Sequence, residues 1–448
     1  MKSTSSVKTS TVFAVLSATL FSFCSPLFAA TINTSQVDKD LRFLASDEMQ
    51  GRAIGSAQIN DVENYIVDQF KDAGLKPLAQ LKGYKQAINL YVYTPQQVEL
   101  SINGHAIDAT DIAFSAGHNF SLNKENSQVV HVAAADDLRA AMASVNQQGG
   151  NTLVVIDEAH RTQFVQYQQY LTRGSKSLTE KAEQALVMVI ANVDSLENYA
   201  AKGSVEKSQV ALANVVGVLE ANNDSDEYVI YSAHHDHVGT TQALDEAQDV
   251  IYNGANDDAS GVSAVLNLAR YYAAQQKSGQ LELKRNIMFV SFTAEESGLL
   301  GSKAFVNDVN TDQIVAMINI EMIGKASEFG SGKVWMTGFD RSDLGELLNK
   351  ANGEQTIYAD PYPAYQLFYR SDNASLAKAG VPAHSFSSTQ INKDLDYHKV
   401  TDEVDTLDIE QMTLIINTLA NASMPLLTGE VTPKRINKES AGAAGAFF

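Results

Sequence analysis

Short apolar runs that alternate with helical segments constrain the fold of this chain more than any other feature. Uninterrupted apolar runs of this length are typical of strands buried on both faces. The runs lie at residues 228–233, 287–293, 314–320, 334–337 and 383–386. Helical segments separate them, at 260–275, 301–308, 341–352 and 372–379, and a last helix covers 408–421. The alternation predicts an α/β fold, with a mostly parallel, twisted sheet flanked by helices on both faces.

Residues 90–205 have a different character. Strand-like runs are separated by polar helical stretches, and the segment has no dense cluster of metal-binding residue types. We therefore predict a smaller β-rich domain, inserted into a discontinuous main domain of residues 30–89 and 206–428. Residues 429–448 are predicted to form a loose C-terminal tail.

Two helices are predicted before the insertion. One covers residues 35–46, with Ser35 as its N-cap. The other covers residues 57–73, and Gly74 stands where a helix-ending glycine belongs.

The first 29 residues are typical of a secretory signal peptide. Lys2 and Lys8 precede the apolar stretch 11–23, and small residues suited to cleavage follow. A lipoprotein leader would use Cys24, but Phe23 is bulky where a small residue is expected. No later apolar stretch is long enough to span a bilayer. The sequence therefore predicts an exported protein, either periplasmic or secreted.

Charge and cysteine content exclude several classes of function. The chain has 33 Lys and Arg against 53 Asp and Glu, a formal net charge of −20. Such a surface repels phosphate backbones and anionic lipids, which argues against a nucleic-acid partner. The single cysteine excludes a disulfide framework and a thiolate zinc finger. Any metal site must therefore use His, Asp and Glu.

The first of the main-domain strands ends in a histidine-rich motif, residues 234–237. Strand alternation places His234 and Asp236 on one face, and His235 and His237 on the other. A histidine with a carboxylate two residues later suits a metal ligand whose second ring nitrogen is held by an acid. His235 and His237 are predicted not to bind metal. Ordinary strand-end histidines give the same pattern.

Acidic residues follow the other elements, at the sheet edge where ligands gather in such folds. Asp257 precedes a helix, where it can face a cation or act as an N-cap. Glu295 and Glu296 follow a buried strand, and adjacent carboxylates repel each other unless a cation or proton neutralises them. Glu321 ends an apolar strand, where an unpaired charge is costly. His398 adds an imidazole near the sheet.

The charges of these groups favour two metal ions. Asp257, Glu296 and Glu321 contribute three negative charges, which two Zn²⁺ and one hydroxide balance. This indicates a two-metal site with a bridging carboxylate and a metal-activated water. Oxygen and imidazole ligands suit Zn²⁺, with Mn²⁺ or Co²⁺ as substitutes.

The motifs HHD, GANDDASG, TAEESGLLGS, NIEMIG and DYH, in this order, resemble those of the co-catalytic dizinc exopeptidase family. That family includes secreted bacterial aminopeptidases, glutamate carboxypeptidase, glutaminyl cyclase and the non-enzymatic transferrin receptor. The resemblance covers residues 206–425, and LASDEMQGRAIGS at 44–56 also resembles the family's N-terminal lead. Many relatives carry a protease-associated domain where this chain has residues 90–205.

The resemblance implies a role for each motif residue. Asp257 is the implied bridging ligand, with His234 and Glu321 on one zinc. Glu296 and His398 are the implied ligands of the other zinc.

The resemblance also implies residues that support the chemistry. Glu295 is the implied general base, Asp236 the implied partner of His234, and Asp258 a structural residue. Glu321 stands where many aminopeptidases have Asp, and Asn373 where His is common.

Four residues are candidate substrate contacts, namely Met322, Tyr365, Tyr369 and Asn373. The Tyr369 hydroxyl is the candidate for stabilising the oxyanion. The aromatic side chains near residues 365–369 can equally pack a loop.

The resemblance thus predicts an exported zinc aminopeptidase that acts on peptides with a free N-terminus. Glu295 would generate the hydroxide that attacks the N-terminal peptide bond. A carboxypeptidase is an alternative, but it needs a cationic cluster, and the sequence shows none beside Arg370. Glutaminyl cyclase, which needs a single zinc, and a non-catalytic binding protein are further alternatives. The sequence sets neither the preferred N-terminal residue nor the oligomeric state.

Overall fold

The computed structural model describes residues 1–4, 32–193, 195–242 and 248–439. The predicted signal peptide, apart from its first four residues, and the end of the predicted tail lie outside this description. Among the described helices, none is both long and apolar enough to cross a membrane.

Helices and strands occur in both of the predicted domains. The helices are α1 Thr34–Leu44, α2 Ala57–Asp72, α3 Leu138–Gln148, α4 Arg161–Thr172, α5 Ser260–Lys277, α6 Leu300–Asp308, α7 Leu344–Asn352, α8 Asn373–Lys378, α9 Ile409–Ala422 and α10 Met424–Leu427. The strands are β1 Lys85–Ile102, β2 His105–Ala106, β3 Ile112–Ala116, β4 Phe120–Asn123, β5 Gln128–Val132, β6 Thr152–Ile156, β7 Ser175–Ser177, β8 Ala185–Ile190, β9 Tyr199–Leu219, β10 Tyr228–His234, β11 Gly239–Thr240, β12 Ile251–Tyr252, β13 Asn286–Phe292, β14 Ile314–Ile320, β15 Val334–Met336, β16 Ile357–Ala359 and β17 Ala383–Ser387.

The main sheet confirms the predicted α/β class. Its strand order is β16-β15-β17-β14-β10-β13-β9-β1-β2. The four central strands β17, β14, β10 and β13 are parallel, which brings their carboxyl ends to one edge. The neighbours on either side, β15 and β9, pair antiparallel. His234, Glu296 and Glu321 come at or just after the ends of β10, β13 and β14, where these parallel strands end on the same side.

Helices cover both faces of this sheet. One apolar layer includes residues of α1, α2, α5 and α9, and the other includes residues of α6 and α8. Apart from Tyr228 at the start of β10, every residue of the four central strands is buried. The uninterrupted apolar runs of the sequence are explained by this burial on two sides.

The first two helices agree with the predicted positions, with one correction. Helix α2 ends before Gly74, whose φ of +82° favours glycine. Helix α1 starts one residue earlier than predicted, and its N-cap is Asn33 rather than Ser35. The Asn33 side chain accepts a hydrogen bond from the Ser35 backbone N–H, so Ser35 is the residue being capped.

The insertion is joined to the main sheet by two long strands. Strands β1 and β9 pair antiparallel from Lys85–Val215 to Ile102–Tyr199, so they cross both predicted boundaries. Beyond them lies a separate four-stranded sheet, β3-β8-β6-β5, together with α3 and α4. The side chain of Lys176, in β7, donates to the Ser297 hydroxyl at 2.9 Å. The insertion therefore contacts the loop that follows β13.

Among the buried histidines, His384 makes stability depend on pH. It is fully buried in β17. Its Nδ1 donates to the Thr337 carbonyl oxygen at 2.7 Å, and Nε2 lies 2.7 Å from the Ser342 hydroxyl. Burial lowers the pKa of His384 to about 4.

We expect His384 to lower stability at acidic pH. The unfolded chain binds a proton on this residue below about pH 6.5 and the folded chain only below about pH 4, so stability falls as pH drops through that interval. Between pH 7.5 and 4.5, the free energy of unfolding of His384→Gln should fall by about 2–3 kcal/mol less than that of the unaltered protein. Urea unfolding with a chelator at every pH measures this difference. Equal losses in the two proteins would contradict it.

Candidate active site

The carboxyl ends of β10 and β14 bring together a first group of polar side chains. His234, the last residue of β10, places Nε2 3.1 Å from Asp257 Oδ1 and 3.3 Å from Glu321 Oε1. Glu321 directly follows β14, and its second carboxylate oxygen accepts hydrogen bonds from Asn319 and Ser371. One side of Asp257 thus faces one histidine and one glutamate.

A second group faces the other oxygen of Asp257. His398 Nε2 lies 3.1 Å from Asp257 Oδ2 and 3.1 Å from Glu296 Oε1. His237 Nδ1 lies 2.8 Å from Glu296 Oε1 and 4.0 Å from Asp257 Oδ2. Asp257 therefore stands between two sets of ligand-type side chains, with one oxygen towards each.

His237 lies where strand alternation does not place it. The alternation puts His237 on the face opposite His234, yet both approach Asp257. Strand β10 ends at His234, so the two-residue alternation stops before His237. His235 does lie elsewhere, with Nδ1 3.0 Å from the Ser291 hydroxyl.

The donor atoms of these groups fit metal ions. Within each group, one ligand-type atom per residue lies within 4.8 Å of all the others. In the described residues, Asp257, Glu296 and Glu321 form ion pairs within 4.0 Å with histidines, and none with Lys or Arg. Three close carboxylates without a Lys or Arg partner repel one another, and bound divalent cations would neutralise them. The donors are oxygen and imidazole nitrogen, which suits zinc.

The central carboxylate is held in its ionised form. Burial raises the pKa of Asp257, but hydrogen bonds from His234 and His398 outweigh it and hold that pKa well below its ordinary value. Asp257 therefore keeps two negative oxygens available for ligation.

Asp258, predicted to be structural, ties together the segments that carry the ligands. Its Oδ1 accepts hydrogen bonds from the backbone N–H groups of Gly261 and Met322, both at 3.1 Å. Its Oδ2 lies 3.3 Å from the His234 backbone N. One fully buried carboxylate thus connects the ends of β10 and β14 with the start of α5.

Two further residues that the sequence did not single out hold the Asp257 loop. Asp402 accepts hydrogen bonds from the backbone N–H groups of Asn256 and Asp257, at 2.9–3.1 Å. Arg52 is fully buried, and its guanidinium donates to the backbone carbonyls of Leu44, His235, Asn253, Gly254 and Asp257. In the sequence, Arg52 lies within the segment 44–56 that resembles the exopeptidase family, but the resemblance implied no role for it.

Asp236 lies beside both His234 and Glu295. His234 Nδ1 is 3.0 Å from the Asp236 backbone carbonyl oxygen and 3.8 Å from its carboxylate. The carboxylate instead accepts the Glu295 backbone N–H at 3.0 Å. Burial raises the pKa of Asp236 to about 6, although the charge of His234 opposes this. Asp236 therefore contacts His234 through its backbone carbonyl, and the loop that carries Glu295 and Glu296 through its side chain.

Glu295 lines the cleft beside the clusters without belonging to either. Burial raises the pKa of Glu295 well above its ordinary value, and the negative charges of Glu296 and Glu321 raise it further, against the opposing charge of His234. A carboxyl group with a raised proton affinity next to ligand-type groups suits a general base.

A cleft of about 770 Å³ opens over these groups. Of the candidate substrate contacts, Met322, Tyr365 and Tyr369 line it. The Tyr369 hydroxyl accepts a hydrogen bond from Arg341 at 2.7 Å. Asn373 is fully buried and does not line the cleft, since its amide donates to the Phe368 carbonyl and accepts from the Ser385 hydroxyl.

The cleft also contains residues that the sequence did not suggest. Tyr397 stacks on His398, with ring centroids 4.1 Å apart. Lys303 and Lys378 line the same cleft as Arg370. The sequence showed no cationic cluster because these residues lie on different elements, α6, α8 and the segment before α8.

Sequence comparison decides the family. The family model described as Peptidase family M28 matches residues 214–423, which carry all the members of both clusters. Slightly less than half of the chain thus matches peptidase family M28. The predicted resemblance to the exopeptidase family is thereby confirmed.

Curated relatives agree with the M28 assignment over parts of their length. A probable zinc metalloprotease of Pyrenophora teres f. teres is 34% identical over 119 residues, 26% of this chain and 24% of that protein. Leucine aminopeptidase 1 of Leptosphaeria maculans is 27% identical over 270 residues, 57% of this chain and 66% of that protein. The chain thus spans less than two thirds of the length of either relative.

A solved structure has a similar fold over most of this chain. BSAP, a zinc aminopeptidase from Bacillus subtilis, has a TM-score of 0.54 and 14% sequence identity, covering 90% of this chain and 97% of that one. At this level of identity, the likeness is one of fold.

Proposed function

We propose that the protein is an exported aminopeptidase that uses two zinc ions to hydrolyse the N-terminal peptide bond of peptides. The observation that carries the proposal is the position of Asp257. Its two carboxylate oxygens face two separate groups of imidazole and carboxylate donors. A carboxylate in that position is suited to bridge two metal ions. The M28 match and the named aminopeptidases among the similar proteins support the reaction type.

The proposed ligands are divided by the two sides of Asp257. His234 and Glu321 would hold one ion, and Glu296 and His398 the other. His237, close to the Glu296 carboxylate, would orient that ligand or add a nitrogen donor. When bound, the ions supply Lewis acidity, which polarises a carbonyl and lowers the pKa of water.

The proposed proton transfers belong to Glu295. It would take the proton of the attacking water and deliver it to the amine that leaves. Asp236 would keep the base in position through its hydrogen bond to the Glu295 backbone N–H. The carboxylates of the cleft would favour a substrate with a free, positively charged N-terminus. Tyr369 stays the candidate for the oxyanion, with Tyr365 and Met322 as substrate contacts.

Export and domain organisation form part of the same proposal. The N-terminal sequence supports a signal peptide ending near residue 29, and thus a periplasmic or secreted enzyme. Residues 90–205 would form a protease-associated-like domain. Its four-stranded sheet and the position of its two connecting strands support this.

A chelation assay on the purified mature chain tests the function. Leucine p-nitroanilide and its N-acetylated form are each assayed with chelator, without chelator, and after zinc is restored. We expect hydrolysis of the free-amine substrate alone, loss of that activity with chelator, and recovery with zinc. Hydrolysis of neither substrate by zinc-loaded protein would contradict the proposal and favour a carboxypeptidase or a cyclase.

A further inference from the structure

One part of the cleft rim is cationic in an otherwise acidic protein. Lys303, Arg370 and Lys378 line the cleft that also contains Glu295 and His398. All three side chains are exposed. The chain as a whole has a net charge of −20, so three cationic side chains at one cleft differ from the acidic character of the rest of the protein.

Two of these cations have contacts that relate them to the loop carrying Glu295 and Glu296, and to His398. Lys303 Nζ donates to the Gly298 carbonyl oxygen at 2.9 Å, two residues beyond Glu296. Arg370 Nη2 lies 3.5 Å from the Tyr397 hydroxyl, and the Tyr397 ring stacks on His398. Lys303 therefore contacts the loop that carries Glu295 and Glu296, and Arg370 contacts His398 through Tyr397.

These charges have no carboxylate partner of their own. In the described parts of the chain, none of the three cations forms an ion pair within 4.0 Å, whereas surface lysines such as Lys76 and Lys207 pair with Glu220 and Glu180.

The positive charge of Lys378 also acts on Lys303. Although the Lys303 side chain is exposed, partial desolvation of its ammonium group lowers its pKa, and the charge of Lys378 lowers it further, while the buried Asp372 acts in the opposite direction. Neighbouring like charges without a counter-ion favour the binding of an anionic group between them.

We propose that this cationic rim, formed by Lys303, Arg370 and Lys378, binds the C-terminal carboxylate of short peptides, so that the enzyme prefers dipeptides and tripeptides. The inference rests on the proposed aminopeptidase function. In such a substrate the amine lies at the acidic clusters, and the carboxylate lies one or two residues beyond the scissile bond. An extended chain spans about 3.3–3.6 Å per residue, so the carboxylate of such a substrate stays within the cleft that holds both the clusters and the cations.

The size and remaining lining of the cleft agree with a short substrate. A volume of about 770 Å³ is in the range that holds a ligand of this size. Apolar side chains of the same cleft, including Met322, Trp335 and Ile391, can take an apolar N-terminal side chain. A long peptide would place no terminal charge at the rim and would gain nothing from the cations.

Matched substrates test the inference. The values of kcat and KM are measured for Leu-Gly-Gly and its C-terminal amide, with leucine p-nitroanilide as the test of aminopeptidase activity itself. We expect kcat/KM for the free acid to exceed that for the amide about tenfold, mostly through KM, because several exposed ion pairs each contribute modestly. The ratio should shrink in 1 M salt, where exposed charges are screened. A third peptide, Leu-Asp-Gly amide, distinguishes an acidic side chain from a C-terminal carboxylate as the source of the anion.

Variants assign the preference to the rim. In Lys303→Met/Lys378→Met, the acid-to-amide ratio should fall towards one. The control Lys39→Met/Lys350→Met, which removes two exposed lysines outside the cleft, should keep the ratio of the unaltered protein. If leucine p-nitroanilide is hydrolysed but acid and amide are cleaved equally, the inference is wrong while the proposed function stands. Preference for Leu-Asp-Gly amide over the free acid also overturns it, and hydrolysis of no substrate removes both.

Discussion

Glu295→Gln is expected to retain bound zinc and lose hydrolysis of leucine p-nitroanilide by on the order of 10³-fold or more. The amide has nearly the shape of the carboxylate but cannot accept the proton of the attacking water. Glu295 belongs to neither metal-type cluster, so removing its charge leaves the ligand sets intact. The loss should appear in kcat, with metal content measured on the same samples.

The control for this variant is Glu346→Gln, an exposed glutamate on α7. It removes the same charge outside the cleft and should keep both zinc and turnover. Turnover within tenfold of the unaltered enzyme in Glu295→Gln would show that another group is the base. Loss of zinc in that variant would instead make Glu295 a ligand.

Arg52→Met is expected to have the largest effect on stability. The fully buried guanidinium bonds the carbonyl oxygens of residues 44, 235, 253, 254 and 257 at 2.5–3.4 Å. Methionine leaves these acceptors without their donor, and each buried, unsatisfied group costs about 1–3 kcal/mol. We expect the free energy of unfolding to fall by at least about 4 kcal/mol. Urea unfolding of the metal-free protein measures this.

Two further variants define what Arg52 contributes. Arg42→Met removes an exposed arginine that pairs with Asp38 and Asp405, and it should cost less than about 1 kcal/mol. Arg52→Lys keeps the charge, but its three donors cannot reach all five carbonyls, so its stability should lie between the other two. If Arg52→Met is as stable as Arg42→Met, the hydrogen bonds from Arg52 to the five backbone carbonyls do not stabilise the fold.

The sequence predicted the parts of the fold that depend on local pattern. The central strands were found because burial on both faces leaves an apolar run, and α2 because its apolar residues Ile59, Val62, Ile66 and Phe70 repeat with helical spacing. Glu321 was singled out because a charge stands out at the end of such a strand, and Asp257 because it precedes a helix where a carboxylate can face a cation. The length of β1 and β9 was not predicted, because each strand packs against one apolar core at one end and a different core at the other.

The residues that the sequence missed act over long distances in the chain. Arg52 bonds backbone carbonyls up to 205 residues away, and no sequence pattern marks a carbonyl as an acceptor. His237 was placed on the wrong face because alternation was extended past the end of β10. Lys303 and Lys378 join Arg370 only when α6 and α8 pack on the same face of the sheet.

The number of zinc ions per chain tests the central claim most directly. Metal-free protein is saturated with zinc, freed of excess metal, and analysed for zinc and protein together with Asp257→Asn. The two faces of Asp257 predict two zinc ions per chain in the unaltered protein and at most one in the variant. One zinc or less in the unaltered protein, or the same count in both, would contradict a two-metal centre bridged by Asp257.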